Sequence, residues 1–191
     1  MLQFRIADVC DSERLLEIYE YYVLKTAVSF EYELPSVEKF SNRIVNVLKK
    51  YPYIVGLNNG KIVGYGYASP FKQRKAYEHS AEVSIYIDKP YQRKGYGSQL
   101  YLFLEDILKK QGILNLNACI AYTSHKDENL NNVSSIFHKS IGYSMVGRFH
   151  KCGYKFNKWY DMIWMEKHIG QHLDNAPEIK TFLEVRDDFD L

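Results

Sequence analysis

A chain of 191 residues, 46% of them hydrophobic, has the size and apolar content of one folded domain. A formal charge of +2 is too small to make nucleic acid the main partner. No run of about 18 apolar residues is available to span a membrane, and Met1-Leu2-Gln3-Phe4-Arg5 lacks the basic and apolar segments of a signal peptide, so residence in the cytoplasm is expected. Cys10, Cys119 and Cys152 are odd in number, far apart and without a C-x-x-C, which suits reduced thiols. The histidines His79, His125, His150, His168 and His172 show no metal-ligand spacing, and no metal is expected.

In chain order the pattern predicts βααβββαβαββ. Phe4-Arg5-Ile6 reads as a short strand, and Asp11 or Ser12 caps a helix with Leu15, Leu16, Ile18, Tyr19, Tyr22 and Val23 on its apolar side. A second helix starts after Pro35-Ser36 and carries Val37, Phe40, Ile44, Val47 and Leu48. Strands over 53–57 and 61–68 flank Asn58-Asn59-Gly60, a strong hairpin signal. The next strand, Glu82 to Ile87, alternates, with Glu82, Ser84 and Tyr86 on one side and Val83, Ile85 and Ile87 on the other. An amphipathic helix through Leu100, Phe103, Leu104, Ile107 and Leu108 stops near Gly112. A strand over 114–121, a polar loop over 122–132, a short helix over 134–140 and a hairpin over 144–154 and 159–167 complete the domain. Residues 168–191 are acidic and aperiodic and form a tail without an assigned element.

Between the Glu82–Ile87 strand and the following helix lies Pro90-Tyr91-Gln92-Arg93-Lys94-Gly95-Tyr96-Gly97-Ser98. The first turn of a helix leaves its N–H groups without internal partners, and glycine lets a ligand approach the backbone. Arg93 and Lys94 add positive charge, so the turn is suited to a phosphate. Neither the Walker spacing nor G-x-G-x-x-G is present.

The spacing Gln92-x-x-Gly95-x-Gly97 resembles the pyrophosphate-binding signature of the GNAT superfamily of acyl-CoA-dependent N-acetyltransferases. Within it, the chain is similar to the phosphinothricin acetyltransferase branch. The likeness runs through Val28-Ser29-Phe30, Tyr51-Pro52, Gly64-Tyr65-Gly66-Tyr67-Ala68, Lys72-x-Arg74-x-Ala76-Tyr77 and Ala81 to Ile87. It continues through Phe137-His138-Lys139-Ser140-Ile141-Gly142-Tyr143 and Gly153-Tyr154-Lys155 with Trp159. The resemblance covers residues 1–167. It implies an α/β GNAT fold, a mixed sheet of about seven strands splayed at the middle with about four helices, acetyl-CoA as co-substrate, a small-molecule amine as acceptor and a homodimer.

It also implies roles. Glu82 matches the general base, which an amine protonated at neutral pH requires before it attacks a thioester; otherwise it is a solvated strand glutamate. The pyrophosphate would lie on the amides of Arg93, Lys94, Gly95, Tyr96, Gly97 and Ser98, beside Gln92. The pantetheine arm would run along Ile85, Tyr86 and Ile87 with Asn131 at its amides, and an N–H near Ile87 would polarise the acyl carbonyl. Lys72, Arg74 and Tyr77 match positions around the acceptor, where Arg beside Lys suits an anionic group. Phe30 would wall the pocket. His138 would touch substrate or its oxyanion, unless it is a satisfied packing residue. Tyr143 or Tyr154 would return a proton to the departing thiolate.

Glu31-Tyr32 replaces the basic residue expected after Phe30, and the 125–130 loop is longer than in the herbicide-resistance enzymes. Both differences point to an amino acid or another small primary amine rather than phosphinothricin itself. The alternatives are a GNAT enzyme acting on a protein N-terminus, an antibiotic or a polyamine, and an acyl-CoA-binding domain without catalysis.

Overall fold

The computed structural model describes residues 1–191. Its elements are β1 (Gln3–Ile6), α1 (Ser12–Leu24), α2 (Val37–Leu48), β2 (Tyr53–Asn58), β3 (Lys61–Pro70), β4 (Ser80–Ile87), α3 (Tyr96–Lys110), β5 (Asn115–Tyr122), α4 (Val133–Ser140), β6 (Ser144–Lys155), β7 (Lys158–His168) and a short α5 (Phe182–Val185). The order of the first eleven is the predicted one. Local chemistry explains several boundaries. The Ser36 side chain accepts from Lys39 N–H to start α2. Asn59 and Gly60 both take positive φ, 51° and 74°, as a two-residue hairpin between β2 and β3 requires. Asp8 rather than Asp11 supplies the side-chain cap before α1, because a short 3-10 turn precedes the helix.

The seven strands form one sheet in the order β1-β2-β3-β4-β5-β7-β6. All neighbours are antiparallel except β4 and β5, which run parallel and pair only at Ser80↔Asn115, Ala81↔Leu116 and Glu82↔Asn117. Beyond Glu82 the two strands part. The register Tyr65↔Tyr86, Tyr67↔Ser84 and Ser69↔Glu82 puts these six side chains on one face. That face lies under α1 and α2, where Leu15, Tyr19, Val23, Phe40 and Ile44 pack against Tyr53, Val55 and Tyr65. On the other face α3 buries Leu100, Leu104, Ile107 and Leu108 against Ile54, Val63, Ala81 and Val83.

The C-terminal segment closes on this second core. Lys180 N–H donates to Gln111 O at 2.9 Å and Phe182 N–H to Lys50 O at 2.9 Å. Phe182 and Val185 are buried in the α3 cluster, and Thr181 and Glu184 form a reciprocal cap on α5. Two well-spaced apolar residues in an acidic stretch carry too little periodicity to be read from sequence.

Candidate active site

The turn between β4 and α3 is shaped by backbone. Gly95 caps α3 at φ 78°, and no side chain caps the helix, so the first-turn amides stay free of side-chain partners. Arg93 also has positive φ, 59°. A Cβ built on Gly95 would meet nothing within 4 Å, and one on Gly97 would touch the Phe137 ring at 3.4 Å. Arg93, Lys94 and Gly95 are exposed, and the Lys94 ammonium lies 5.0 Å from the Tyr91 ring centre. Open space, free amides and two cations fit a pyrophosphate.

Gln92 does not face that space. Its Nε2 donates to Tyr22 Oη at 2.9 Å and to Ile87 O at 3.3 Å. Tyr22 Oη donates to Ile87 O at 2.5 Å and accepts from Ile87 N–H at 3.1 Å. Of the N–H groups near Ile87, one of which was expected to polarise the acyl carbonyl, that of Ile87 itself is therefore taken by Tyr22. Along β4, the odd residues turn their peptide groups away from β3: Ala81 O accepts from Asn117 Nδ2, and Val83 O lies 3.5 Å from Tyr101 Oη. Ile85 N–H points the same way, one pleat before Ile87, where β5 has already diverged. Tyr22 had been counted as one more apolar position of α1; nothing in its spacing signals the hydroxyl's role.

Glu82 is the last β4 residue paired with β5 and is half-buried. Burial pushes its carboxyl above the ordinary value, and the Lys72 charge pulls in the opposite direction. Lys72 is exposed, with its ammonium 4.8 Å from the Phe71 ring centre and 5.3 Å from that of Trp164. Tyr77 packs edge-on against Phe71 at 5.9 Å, while Arg74 is exposed at the start of a short 3-10 turn. Cys119 on β5 shares this neighbourhood; burial, and then the charge of Glu82, push its thiol up to about 12, which keeps it protonated and poorly nucleophilic.

Phe30 lies over β6: a Cβ on Gly153 would come within 2.1 Å of the Phe30 ring, so only glycine admits it there. The segment leading to Phe30 is tied down by Lys155, 3% exposed, whose Nζ donates to the carbonyls of Val23 (2.6 Å), Thr26 (3.0 Å) and Ser29 (2.6 Å). Burial lowers the Lys155 pKa. A single lysine near the end of a strand gives no sequence signal that three carbonyls far back in the chain will meet it.

Three of the expected site residues make their hydrogen bonds or contacts within the protein. His138 matches the packing alternative: it is buried, its Nδ1 bonds Ser134 O at 2.7 Å and its Nε2 bonds Tyr101 Oη at 2.6 Å. Nδ1 carries the proton for the carbonyl, so Nε2 accepts from the tyrosine, and burial lowers the ring's pKa. Asn131 is exposed and folds onto its own chain, Oδ1 accepting from Val133 N–H at 3.3 Å; the neighbour Asn132 instead bonds both backbone groups of Thr123. Tyr143, a candidate proton donor, is buried against Tyr101 and His138, and burial raises its pKa. Tyr154 is exposed, its ring 5.0 Å from Trp159 and its carbonyl accepting from the Tyr32 hydroxyl. No group of three or more His, Cys, Asp or Glu is placed to hold a metal, and no helix is long and apolar enough to cross a membrane.

A parted pair of parallel strands, a carboxylate at the fork and an amide-lined turn at the end of the same strand together describe a site for an acyl carrier. The family model of the acetyltransferase (GNAT) domain matches residues 4–164. The chain belongs to the GNAT acetyltransferases. It is 28% identical over 161 residues to a phosphinothricin N-acetyltransferase of Streptomyces viridochromogenes, covering 84% of each chain. It is 27% identical over 175 residues to an L-methionine sulfoximine/L-methionine sulfone acetyltransferase of Salmonella typhimurium, covering 90% of this chain and 96% of that one. The solved phosphinothricin acetyltransferase of Sinorhizobium meliloti, in complex with acetyl-CoA, superposes with a TM-score of 0.82 at 26% identity, covering 95% of this chain and 98% of that one. This GNAT protein is an N-acetyltransferase with acetyl-CoA as its co-substrate.

Proposed function

We propose that this enzyme acetylates the primary amine of a small amino-acid-like acceptor, with Glu82 as general base. The observation that carries the reading is the place of Glu82 at the fork of β4 and β5, on the α1/α2 face and with its pKa raised by burial. A carboxylate so placed is a stronger base than a solvated one. Names of relatives at about a quarter identity support an acceptor bearing an amine and an acidic or sulfoximine group.

Acetyl-CoA, when bound, supplies the activated acyl group. The chain's own groups would then act as follows. The first-turn amides of α3 and the charges of Arg93 and Lys94 hold the pyrophosphate. Ile85 N–H, in place of Ile87 N–H, hydrogen-bonds the acyl oxygen where negative charge develops. Glu82 takes the amine's proton at its carboxylate, directly or through a water. Lys72 and Arg74 hold the acceptor's anionic group, with Phe30 as an apolar wall. Exposed Met145, Val146 and Phe149 on the edge strand β6 support a homodimer.

Glu82→Gln tests the reading. The rate at neutral pH should fall by ~10²–10⁴-fold, the usual worth of a general base, while acetyl-CoA affinity stays near wild type. The deficit should narrow as rising pH supplies free amine. Wild-type turnover across the neutral range in the variant would make Glu82 structural.

A further inference from the structure

On the Glu82 face, a cleft of about 400 Å³ opens between α1, α2 and the sheet, walled by Tyr19, Tyr53, Tyr65, Tyr67 and Tyr86 with Arg43 at its rim. Tyr67 pairs across β3 and β4 with Ser84, one pleat from Glu82, so the cleft runs up to the proposed base. Aromatic side chains are usually spent on packing, and part of this lining is so spent: Tyr19 Oη shares a hydrogen bond with Ser29 Oγ at 2.8 Å. Tyr53 and Tyr65 differ. They are 2% and 1% exposed, yet neither hydroxyl bonds any protein group, and neither is sealed in the packed interior. Both rings line the cleft, so each hydroxyl can reach a ligand or water there.

The rings also have a direction. Tyr53 lies nearly parallel to Tyr65 (5.8 Å, 17°) and to Tyr67 (4.9 Å, 20°), and Tyr86 lies 5.3 Å from Tyr65. A row of near-parallel rings is extended best by another flat ring. The one formal cation at the rim, Arg43, is matched by Glu31 at 2.9 Å, which leaves the cleft without net charge for an ionic head group.

We propose that this cleft is the acceptor's side-chain pocket and that it selects an aromatic amino acid whose ring carries a hydrogen-bonding group, a phenol or an indole. The proposal rests on the acetyl-transfer reading above and adds the side-chain class to it. A short aliphatic side chain would leave the Tyr53 and Tyr65 hydroxyls to water. A phenol or indole satisfies one of them and stacks on the row, and its amino group, on the short Cα arm, lies toward Glu82.

The test is a kcat/KM series with the full chain, saturating acetyl-CoA and L-tyrosine, L-tryptophan, L-phenylalanine, L-methionine and L-alanine, followed by thiol release. The aromatic acceptors should exceed alanine by ~10–100-fold, the range a shaped apolar pocket achieves. Tyr65→Phe keeps the ring and the packing, and should cut the preference for tyrosine and tryptophan over phenylalanine by about 10-fold, mostly in KM. Alanine, methionine or a polyamine matching the aromatic acceptors, or an unchanged preference in Tyr65→Phe, overturns the pocket while leaving acetyl transfer intact. Equilibrium dialysis separates the two ideas: tyrosine bound by the wild type and bound less by Tyr65→Phe, with no acetylation of any amino acid, supports the pocket and overturns the transfer reading. Neither binding nor acetylation of the aromatic amino acids overturns the pocket.

Discussion

From Asp88 to Ser98 the site is made of backbone: a glycine at φ 78°, an uncapped helix start and exposed charges, all within one short stretch of chain. The proposed acceptor side is made of side chains gathered from α1, α2, β2, β3, β4 and β6, with tyrosines stacked in rows and Lys155 spanning 132 positions to reach Val23. The first region uses generic groups, N–H and positive charge, which suit a cofactor moiety that is the same for every reaction. The second uses shape and particular hydroxyls, which suit discrimination between acceptors. Tyr22 joins them, since one hydroxyl on α1 holds both backbone groups of Ile87 and the side chain of Gln92.

If the two regions have separate tasks, variants should separate them. The largest effect is expected at Gly95→Val. A β-branched residue resists φ 78° and its side chain enters the open space before α3. Acetyl-CoA affinity measured by calorimetry should fall about 10²-fold or more, while tyrosine binding persists; equal loss of both would join the regions into one. Next is Lys155→Met, which keeps most of the stem and leaves three buried carbonyls unpaired. It should cost about 2–4 kcal/mol in denaturant unfolding and raise the acceptor's KM by loosening the Phe30 segment, with acetyl-CoA affinity little changed.

Tyr22→Phe probes the joint. Losing a hydroxyl that serves three groups should cost about 1–2 kcal/mol of stability and raise the KM of both substrates a few-fold. A change confined to one KM would assign Tyr22 to that region alone. The smallest effect is expected from Lys72→Met. Burial raises the Glu82 pKa and Lys72 lowers it; with the ammonium gone, burial acts unopposed and the pKa rises further. If Glu82 is the base, the acid limb of the kcat/KM profile, where it must be ionised, should then move to higher pH. A shift to lower pH, or none, would remove Lys72 from the neighbourhood of the base.

The turn before α3 was legible because its signals are close in sequence: strand alternation ending at Ile87, two glycines, two basic residues and a helix start. The strand face of Glu82 was legible through the same alternation, whereas its proposed role rests on the family likeness. His138 stayed open between substrate contact and packing because residue type does not say which partners a histidine will meet; Tyr101 and Ser134 occupy both ring nitrogens. Which N–H near Ile87 stays free could not be read, because Tyr22, a residue 65 positions away, closes on that of Ile87 itself.

The sequence by itself determined the element order, the glycine turn and the strand face that carries Glu82, since propensity, turn chemistry and side-chain alternation act over a few residues. Only the tertiary structure decided where β4 and β5 part, that the C-terminal Phe182 and Val185 complete the α3 core, that Lys155 anchors the Phe30 segment, and that tyrosines from three strands and α1 line one cleft. Those outcomes depend on which distant surfaces meet when apolar area is buried, and each buried polar group then takes whatever partner the packing brings.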